Sequence, residues 1–255
     1  MTIFCYHSVD TAWPAALAVT PENFTAQMAW LARHRRVVDL SEAVGMLDPS
    51  GRLPRGVAAL TFDDGFSGVY EFAFPILRRF RLPATVFLVA QTLSPGGRPV
   101  DWIDIPPRGR PARTLSLDQV LELRDAGICF GSHSFAHRTL TELTDEECEA
   151  DLRTSRELLE SVLDRPVRFV AYPRGRHDAR VRQSSERAGF THGFTLPETK
   201  ERAGRHAIPR VGIYRGNGLM AMRIKASRWY LPVRTSLAYN EARRRTGEGP
   251  VRDQC

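Results

Sequence analysis

Short apolar runs alternate along the chain with segments whose apolar residues recur at helical spacing. Residues 57–62 and 84–89 are nearly continuous apolar runs, as strands covered on both faces of a sheet should be. Phe24, Met28 and Leu31 follow one another at spacings of four and three, which places them on one face of a helix. Further strands are predicted at residues 3–6, 37–40, 128–130, 167–172, 190–196 and 208–214.

Helix-start signals stand between these runs. Thr20 precedes a proline, Ser116 and Asp178 precede helical segments, and Thr144 opens a capping-box pattern. Ser41 is a candidate cap for the helix after residues 37–40. Strand–helix alternation indicates a parallel sheet. About seven or eight such units favour a barrel or near-barrel, with an open doubly wound sheet as the alternative.

Two clusters of polar residues directly follow apolar runs. Asp63 and Asp64 come after residues 57–62, and His133 and His137 come after another apolar run. Taken alone, each cluster has an ordinary interpretation, since Asp often begins a turn and histidines four apart share a helical face. Together, one carboxylate and two imidazoles make a three-ligand metal site. The spare carboxylate is then free to act as a base in hydrolysis.

The net charge of the chain does not alter the prediction of a metal-dependent hydrolase. The formal net charge is +7 and the isoelectric point is about 9.7. The excess is mostly arginine spread along the chain, with a cluster only at residues 243–245, which is typical of a solvated basic surface. We therefore expect no nucleic-acid partner.

The four cysteines show neither the spacing of a disulfide framework nor that of a zinc ribbon. No apolar run reaches membrane-spanning length. The pattern of the first residues predicts a strand rather than a signal peptide. These features predict a cytoplasmic protein without a transmembrane segment. Residues 1–236 are predicted to form one catalytic domain and residues 237–255 an Arg-rich tail; nothing in the sequence indicates the oligomeric state.

Five short motifs resemble those of the polysaccharide deacetylase family, the NodB-homology carbohydrate esterases. TFDDG at residues 61–65 and SHSFAH at residues 132–137 are the specific pair. YHSV at residues 6–9, AYPRG at residues 171–175 and Pro-Arg-Val at residues 209–211 resemble the subgroup that deacetylates poly-N-acetylglucosamine.

The resemblance implies a distorted (β/α)7 barrel that binds one divalent metal, usually zinc, with cobalt or nickel as alternatives. Asp64, His133 and His137 match the metal ligands, and Asp63 matches the general base that deprotonates the attacking water. The backbone N–H near Arg174 matches the oxyanion donor.

The sequence departs from the family pattern at two points. Many members carry an arginine at the position of Ala171, where it orients the catalytic aspartate, and Arg210 is the candidate substitute here. The late histidine that supplies the general acid has no clean match. His206 is preferred over His177 because it precedes the strand at residues 208–214, and His7 is the next candidate.

The activity implied is metal-dependent removal of an N-acetyl group from an amino-sugar-containing saccharide or glycoconjugate. Trp102, in the proline-rich loop at residues 91–113, and Tyr172 are candidate sugar-stacking residues, with a packing role as the alternative. Trp229 is assigned to packing of a C-terminal helix. Two other functions remain open: hydrolysis of a small amide or O-acetyl ester, and saccharide binding without catalysis, which the paired aspartates disfavour.

Overall fold

Parallel strands form the centre of the molecule in a computed structural model, which describes residues 2–109, 111–197 and 199–245. The strands are β1 (Thr2–Tyr6), β2 (Ser8–Val9), β3 (Ala18–Val19), β4 (Arg36–Val37), β5 (Val57–Phe62), β6 (Thr85–Leu88), β7 (Cys129–Ser132), β8 (Phe169–Ala171), β9 (His192–Thr195), β10 (Ile208–Pro209) and β11 (Val211–Gly212). The α-helices are α1 (Pro21–His34), α2 (Leu40–Gly45), α3 (Phe74–Phe80), α4 (Leu117–Asp125), α5 (Asp145–Leu163), α6 (Ala179–Arg187), α7 (Leu219–Lys225), α8 (Tyr230–Arg234) and α9 (Leu237–Arg245).

The main sheet runs in the order β10-β9-β8-β7-β6-β5-β1-β11, and every pairing in it is parallel. β4 lies off this path and pairs with the start of β5. β2 and β3 form a separate two-stranded sheet.

The two ends of the sheet are consecutive in the chain. β10 pairs with β9 and β11 pairs with β1, and only Arg210 separates β10 from β11. The predicted strand at residues 208–214 is therefore one strand bent at Arg210, and its two halves nearly close the barrel. Counting the bent strand once leaves seven strand positions. This arrangement confirms the distorted (β/α)7 barrel expected from the sequence.

The helix caps follow the sequence signals closely. Thr20 and Asp178 accept backbone N–H groups at the starts of α1 and α6, and Ser116 and Thr144 head complete capping boxes. One cap differs from the prediction. Asp39, not Ser41, caps α2, because the preceding strand ends three residues earlier than the apolar pattern indicates.

Side chains alternate between the inside and the outside of the barrel. Phe87, Phe169 and Phe194 pack together in the barrel interior, with ring centroids 5.7–5.8 Å apart. Their neighbours Val86 and Val170 pack outward against the helices. β7 carries a glycine, Gly131, against Phe87, so the barrel interior has no space for a side chain there.

Three helices, α7 to α9, complete the described chain. Trp229, expected to pack, is instead 62% exposed, and the Arg228 guanidinium lies 4.6 Å from the centre of its ring. Residues 246–255 of the predicted Arg-rich tail lie outside the described residues, so the domain boundary at residue 236 stays a prediction. Among the described residues, no helix combines the length and apolarity needed to cross a membrane.

We predict that Gly131→Ala lowers the free energy of unfolding by about 1–3 kcal/mol. A Cβ at this position would lie 2.5 Å from a ring carbon of Phe87 and 3.0 Å from the backbone oxygen of Phe169. The matched control is Gly45→Ala, whose Cβ would meet nothing within 4 Å, so its stability should stay equal or rise slightly. Urea unfolding followed by circular dichroism measures both. Equal stability of the two variants would contradict the packing assignment.

Candidate active site

The candidate site lies where the barrel strands end. Asp63 and Asp64 follow β5, and His133 follows β7. A cleft at this end is lined by residues from six segments: His7, Asp63, Asp64, His133, Arg174, Gly175, Leu196 and Tyr214. Asp63 and His133 stand 70 residues apart in sequence, and they meet here because both follow the carboxyl ends of parallel strands, as expected for a barrel.

Asp64, His133 and His137 converge on one point. Asp64 Oδ1 lies 3.2 Å from His137 Nε2 and 3.6 Å from His133 Nε2. Ligand atoms that surround one tetrahedral zinc at about 2.0–2.2 Å lie about 3.3–3.6 Å from one another. The other carboxylate oxygen, Asp64 Oδ2, is buried and accepts no hydrogen bond from any described residue. The three side chains therefore fit a divalent metal.

His133 is oriented by the barrel itself. Its Nδ1 lies 2.8 Å from the backbone oxygen of Ala171, so Nδ1 carries the proton and Nε2 is left free for a metal. Burial lowers the pKa of His133 to about 4, and nearby aspartates only partly offset this effect. The imidazole is thus neutral, as metal ligation requires.

His137 lies in a loop rather than on the helical face that its spacing indicated. Ser134 and His137 both have positive φ angles, 67° and 55°, so the chain turns back and aims both imidazoles at Asp64. Ser134 Oγ accepts the backbone N–H of His137 at 2.9 Å. The spacing of four matters here because of this turn and not because of helical periodicity.

No local sequence signal marks Asp151 as a support for this loop. Asp151 lies on α5, is 5% exposed, and accepts the backbone N–H of Phe135 at 2.8 Å. Ser155, one turn further along α5, contacts Ser132 at the start of the same loop. α5 therefore holds the loop between the two histidines through buried polar contacts.

Asp63 is engaged by Arg210. The two guanidinium nitrogens donate to the two carboxylate oxygens, each at 2.7 Å, and both residues are about 1% exposed. Arg210 also donates to Thr61 Oγ1 at 3.1 Å. The candidate substitute for the missing arginine at Ala171 thus does contact the predicted base, from a different strand.

Opposing effects act on the pKa of Asp63. Burial alone raises it, but the charge and hydrogen bonds of Arg210, with help from His133, lower it well below its ordinary value. Asp63 is therefore ionised in the folded protein. Cys5, His7 and Asp63 also lie near one another, but the Arg210 guanidinium occupies both oxygens of Asp63 and repels a cation.

The walls of the cleft come from His7, Tyr214 and the Arg174 turn. His7 follows β1, is 3% exposed, and its ring lies parallel to that of Tyr214 at 6.1 Å. Arg174 has a positive φ of 57° in the turn after β8, which brings its backbone to the cleft.

Trp102 covers the metal-ligand side of the cleft. Its indole nitrogen donates to Asp64 Oδ1 at 3.3 Å, and its ring stacks on His137 at 4.8 Å. The loop at residues 91–113 therefore does reach the site, although substrate contact by Trp102 stays a prediction.

Two predicted site residues do not reach the cleft. The Tyr172 hydroxyl donates to the backbone oxygen of His206 at 3.0 Å and contacts Ser185 Oγ at 3.1 Å, so its ring points toward α6. His206 Nδ1 contacts the same Ser185 oxygen at 2.9 Å. His206 precedes β10 and so lies at the amino end of a strand, whereas the site lies at the carboxyl ends. His177 pairs with Glu201 at 2.9 Å and stacks on Tyr172.

A nearly closed parallel barrel with carboxylates and imidazoles at its strand ends defines an α/β-barrel protein with a candidate metal centre. A family model described as polysaccharide deacetylase matches residues 50–193, more than half of the chain. The chain therefore belongs to the polysaccharide deacetylase family, and the resemblance predicted from its motifs is confirmed.

Known relatives are similar over most of the chain. YxkH of Bacillus subtilis, whose polysaccharide deacetylase name is provisional, is 25% identical over 219 residues, which are 85% of this chain and 72% of the relative. The poly-beta-1,6-N-acetyl-D-glucosamine N-deacetylase of Staphylococcus epidermidis is 25% identical over 206 residues, 76% of this chain and 67% of the relative. Among solved structures, the Streptococcus pyogenes deacetylase PplD in complex with acetate has the same fold, with a TM-score of 0.74, 23% identity, and coverage of 89% of this chain and 98% of that chain.

We predict that Asp151→Ala weakens divalent-metal binding about 10–100-fold, the usual effect of losing a residue that supports metal ligands. Alanine leaves the Phe135 N–H without its acceptor, whereas Asp151→Asn keeps an oxygen there and should restore most of the affinity. Glu157→Ala, at an exposed position on the same helix, is the control. Titration of the metal-free protein with zinc measures all three affinities. Unchanged affinity in a folded Asp151→Ala protein would rule out this support.

Proposed function

We propose that this protein removes an N-acetyl group from an amino-sugar-containing saccharide or glycoconjugate, using one divalent metal. The observation that carries the proposal is that the two adjacent carboxylates have different partners. Asp64 converges with His133 and His137, whereas Asp63 beside it is paired with Arg210 and faces the same cleft. A protein that only binds saccharides needs no ionised base next to such a centre.

The chain's own residues fill the other roles that amide hydrolysis requires. A divalent metal held by Asp64, His133 and His137 would supply Lewis-acid polarisation of the acetyl carbonyl and would lower the pKa of the attacking water. Asp63 accepts the proton of the attacking water, and Arg210 holds both carboxylate oxygens in place for that step. The turn at Arg174 lines the cleft, and a backbone N–H of this turn is the proposed donor to the developing oxyanion.

We infer that His7, rather than His206, protonates the departing nitrogen. His7 lines the cleft together with Asp63 and Asp64, and His206 does not. Burial lowers the pKa of His7, while the charges of Asp64 and Asp63 act in the opposite direction. Burial is the larger effect, so the pKa of His7 lies below its ordinary value, and the assignment rests on the position of His7 in the cleft and not on its pKa.

The substrate class rests on the family and on the shape of the site. One relative is named as a deacetylase of poly-beta-1,6-N-acetyl-D-glucosamine, a polymer of N-acetylated amino sugars. Trp102 presents a half-buried indole at the edge of the cleft, a surface on which the apolar face of a pyranose ring can stack. Zinc is the proposed metal, with cobalt or nickel as substitutes, because two imidazoles and a carboxylate suit all three.

The proposal is tested by screening N-acetylated saccharides for acetate release with added zinc or cobalt. Asp63→Asn should bind metal normally yet lose about 10²–10⁴-fold in turnover, because the base is gone. His133→Ala should lose the metal instead. Asparagine at position 63 leaves the buried Arg210 without its ionic partner, which could unfold the protein. The double variant Asp63→Asn/Arg210→Met removes both charges and so checks that the loss of turnover does not come from unfolding.

Other outcomes of this screen identify the competing functions. Acetate released from O-acetyl esters or small amides but from no saccharide would favour the same-fold hydrolase. Saccharide binding with no acetate from any compound, in metal-replete protein, would favour a binding module. Normal turnover by a folded Asp63→Asn protein would place the base elsewhere.

The general acid gives a separate prediction. His7→Ala should lose N-deacetylation at least about 10²-fold while retaining most cleavage of an activated acetyl ester, because an ester leaving group needs no proton from the enzyme. His206→Ala is the matched control and should leave both rates near wild type. Rates on both substrates across pH make the measurement, and the alkaline limb should disappear only in His7→Ala. If His206→Ala loses the amide rate selectively, the assignment of His7 is wrong.

A further inference from the structure

Exposed apolar side chains are concentrated in the C-terminal helices. Among the described residues, seven large hydrophobic side chains are exposed, and six of them lie between residues 220 and 239: Met220, Ile224, Trp229, Val233, Leu237 and Tyr239. The first five recur at spacings of four or five, so within α7 and at the start of α8 they project from one side of each helix. Leu237 is 87% exposed and Trp229 is 62% exposed, values that no packing role explains.

A groove with a volume of about 960 Å³ runs beside this apolar row. Met220, Ile224 and Trp229 form its apolar side. Five arginines also line it, from the C-cap of α1, from the segment before β5 and from α7 onward: Arg35, Arg52, Arg55, Arg223 and Arg228. Asp48 is the one acidic residue in that lining, and it pairs with Arg52. We call the apolar row and these arginines the C-terminal basic face.

The C-terminal basic face lies at the opposite end of the barrel from the candidate active site. Leu53 and Arg55, which line the groove, directly precede β5, whereas Asp63 and Asp64 follow it. A six-residue strand spans about 20 Å at about 3.3 Å per residue. An occupant of the groove would therefore leave the catalytic cleft open.

We propose that the C-terminal basic face binds the surface of an anionic lipid bilayer. Short helices that present Trp, Leu, Ile and Met, with arginines beside them, have the pattern of segments that lie in a membrane interface. The apolar side chains enter the headgroup boundary, and the arginines attract negatively charged lipids. Tryptophan is the residue enriched at that depth.

The charge of this face argues against a second copy of the chain as its occupant. A symmetric dimer would place five arginines of one face against the same five of its partner, with only Asp48 to offset them. A nucleic acid would satisfy the arginines, but it would leave the row of exposed apolar side chains in water. A bilayer with anionic headgroups matches both features at once.

Vesicle co-sedimentation of the full chain tests the proposal. Vesicles of phosphatidylcholine alone are compared with vesicles of equal parts phosphatidylcholine and phosphatidylglycerol. The protein should bind the anionic vesicles at low salt, bind them more weakly at high salt, and bind the neutral vesicles poorly. The variants Ile224→Ser/Trp229→Ser and Arg223→Glu/Arg228→Glu should each reduce binding about tenfold or more.

Two controls match these variants outside the C-terminal basic face. Ile105→Ser removes an apolar side chain that is 51% exposed, and Arg153→Glu reverses a charge on the exposed side of α5. Both should bind anionic vesicles like the wild type. Circular dichroism of every variant checks that each one is folded.

The proposal fails if the wild-type chain does not bind anionic vesicles or binds neutral vesicles equally well. It also fails if the two double variants of the C-terminal basic face bind anionic vesicles as well as the controls do. Light scattering across protein concentrations adds an independent outcome. A dimer that the face variants abolish would assign this face to a second copy and would also overturn the proposal. Binding to anionic vesicles that falls in both face variants and in neither control supports it.

Discussion

The candidate site depends on the buried ion pair between Asp63 and Arg210. Arg210 stands at the bend of the strand that nearly closes the barrel, and Asp63 stands at the end of β5, so the pair ties the closing strand to the strand that carries the site. Removing one partner of such a pair typically costs about 3–5 kcal/mol, while replacing both can be neutral. The pair therefore fixes the position and charge of Asp63 more than it stabilises the barrel.

Backbone conformation adds a second constraint on the same site. Six described residues other than glycine have positive φ angles, and four of them belong to the site: Asp64, Ser134, His137 and Arg174. This conformation costs about 1–2 kcal/mol for a residue with a Cβ. It persists because neighbouring groups hold the loops, as Asp151 does for the loop between the two histidines. The imidazoles are thus aimed by the surrounding structure before any metal binds.

Sequence reasoning succeeded where the signal is local. The strand at residues 57–62, the caps at Thr20 and Thr144, and the barrel itself follow from apolar runs and capping residues that lie side by side in the chain. The aspartate and histidine motifs also stand at strand ends that the pattern identifies. These features need no knowledge of distant contacts.

Sequence reasoning failed where the answer depends on which end of the barrel a residue occupies. The sequence pattern favours His206 because it borders a strand, but it borders the amino end of β10, whereas His7 borders the carboxyl end of β1. Tyr172 directly follows a strand as well, yet its ring turns outward to α6. In the sequence, Asp151 resembles any acidic residue on a helix. Its partner Phe135 stands 16 residues earlier in the chain, so no local pattern indicates the contact.

The bent strand also sets an order of events during synthesis. β1, the first strand made, lies between β5 and β11 in the sheet, and β11 is the last strand of the barrel to leave the ribosome. Until residue 210 emerges, the carboxylate of Asp63 has no guanidinium to balance it and cannot leave water without a large desolvation cost. A chain that stops short of this strand thus leaves Asp63 without its guanidinium partner and β1 without its neighbour on one side.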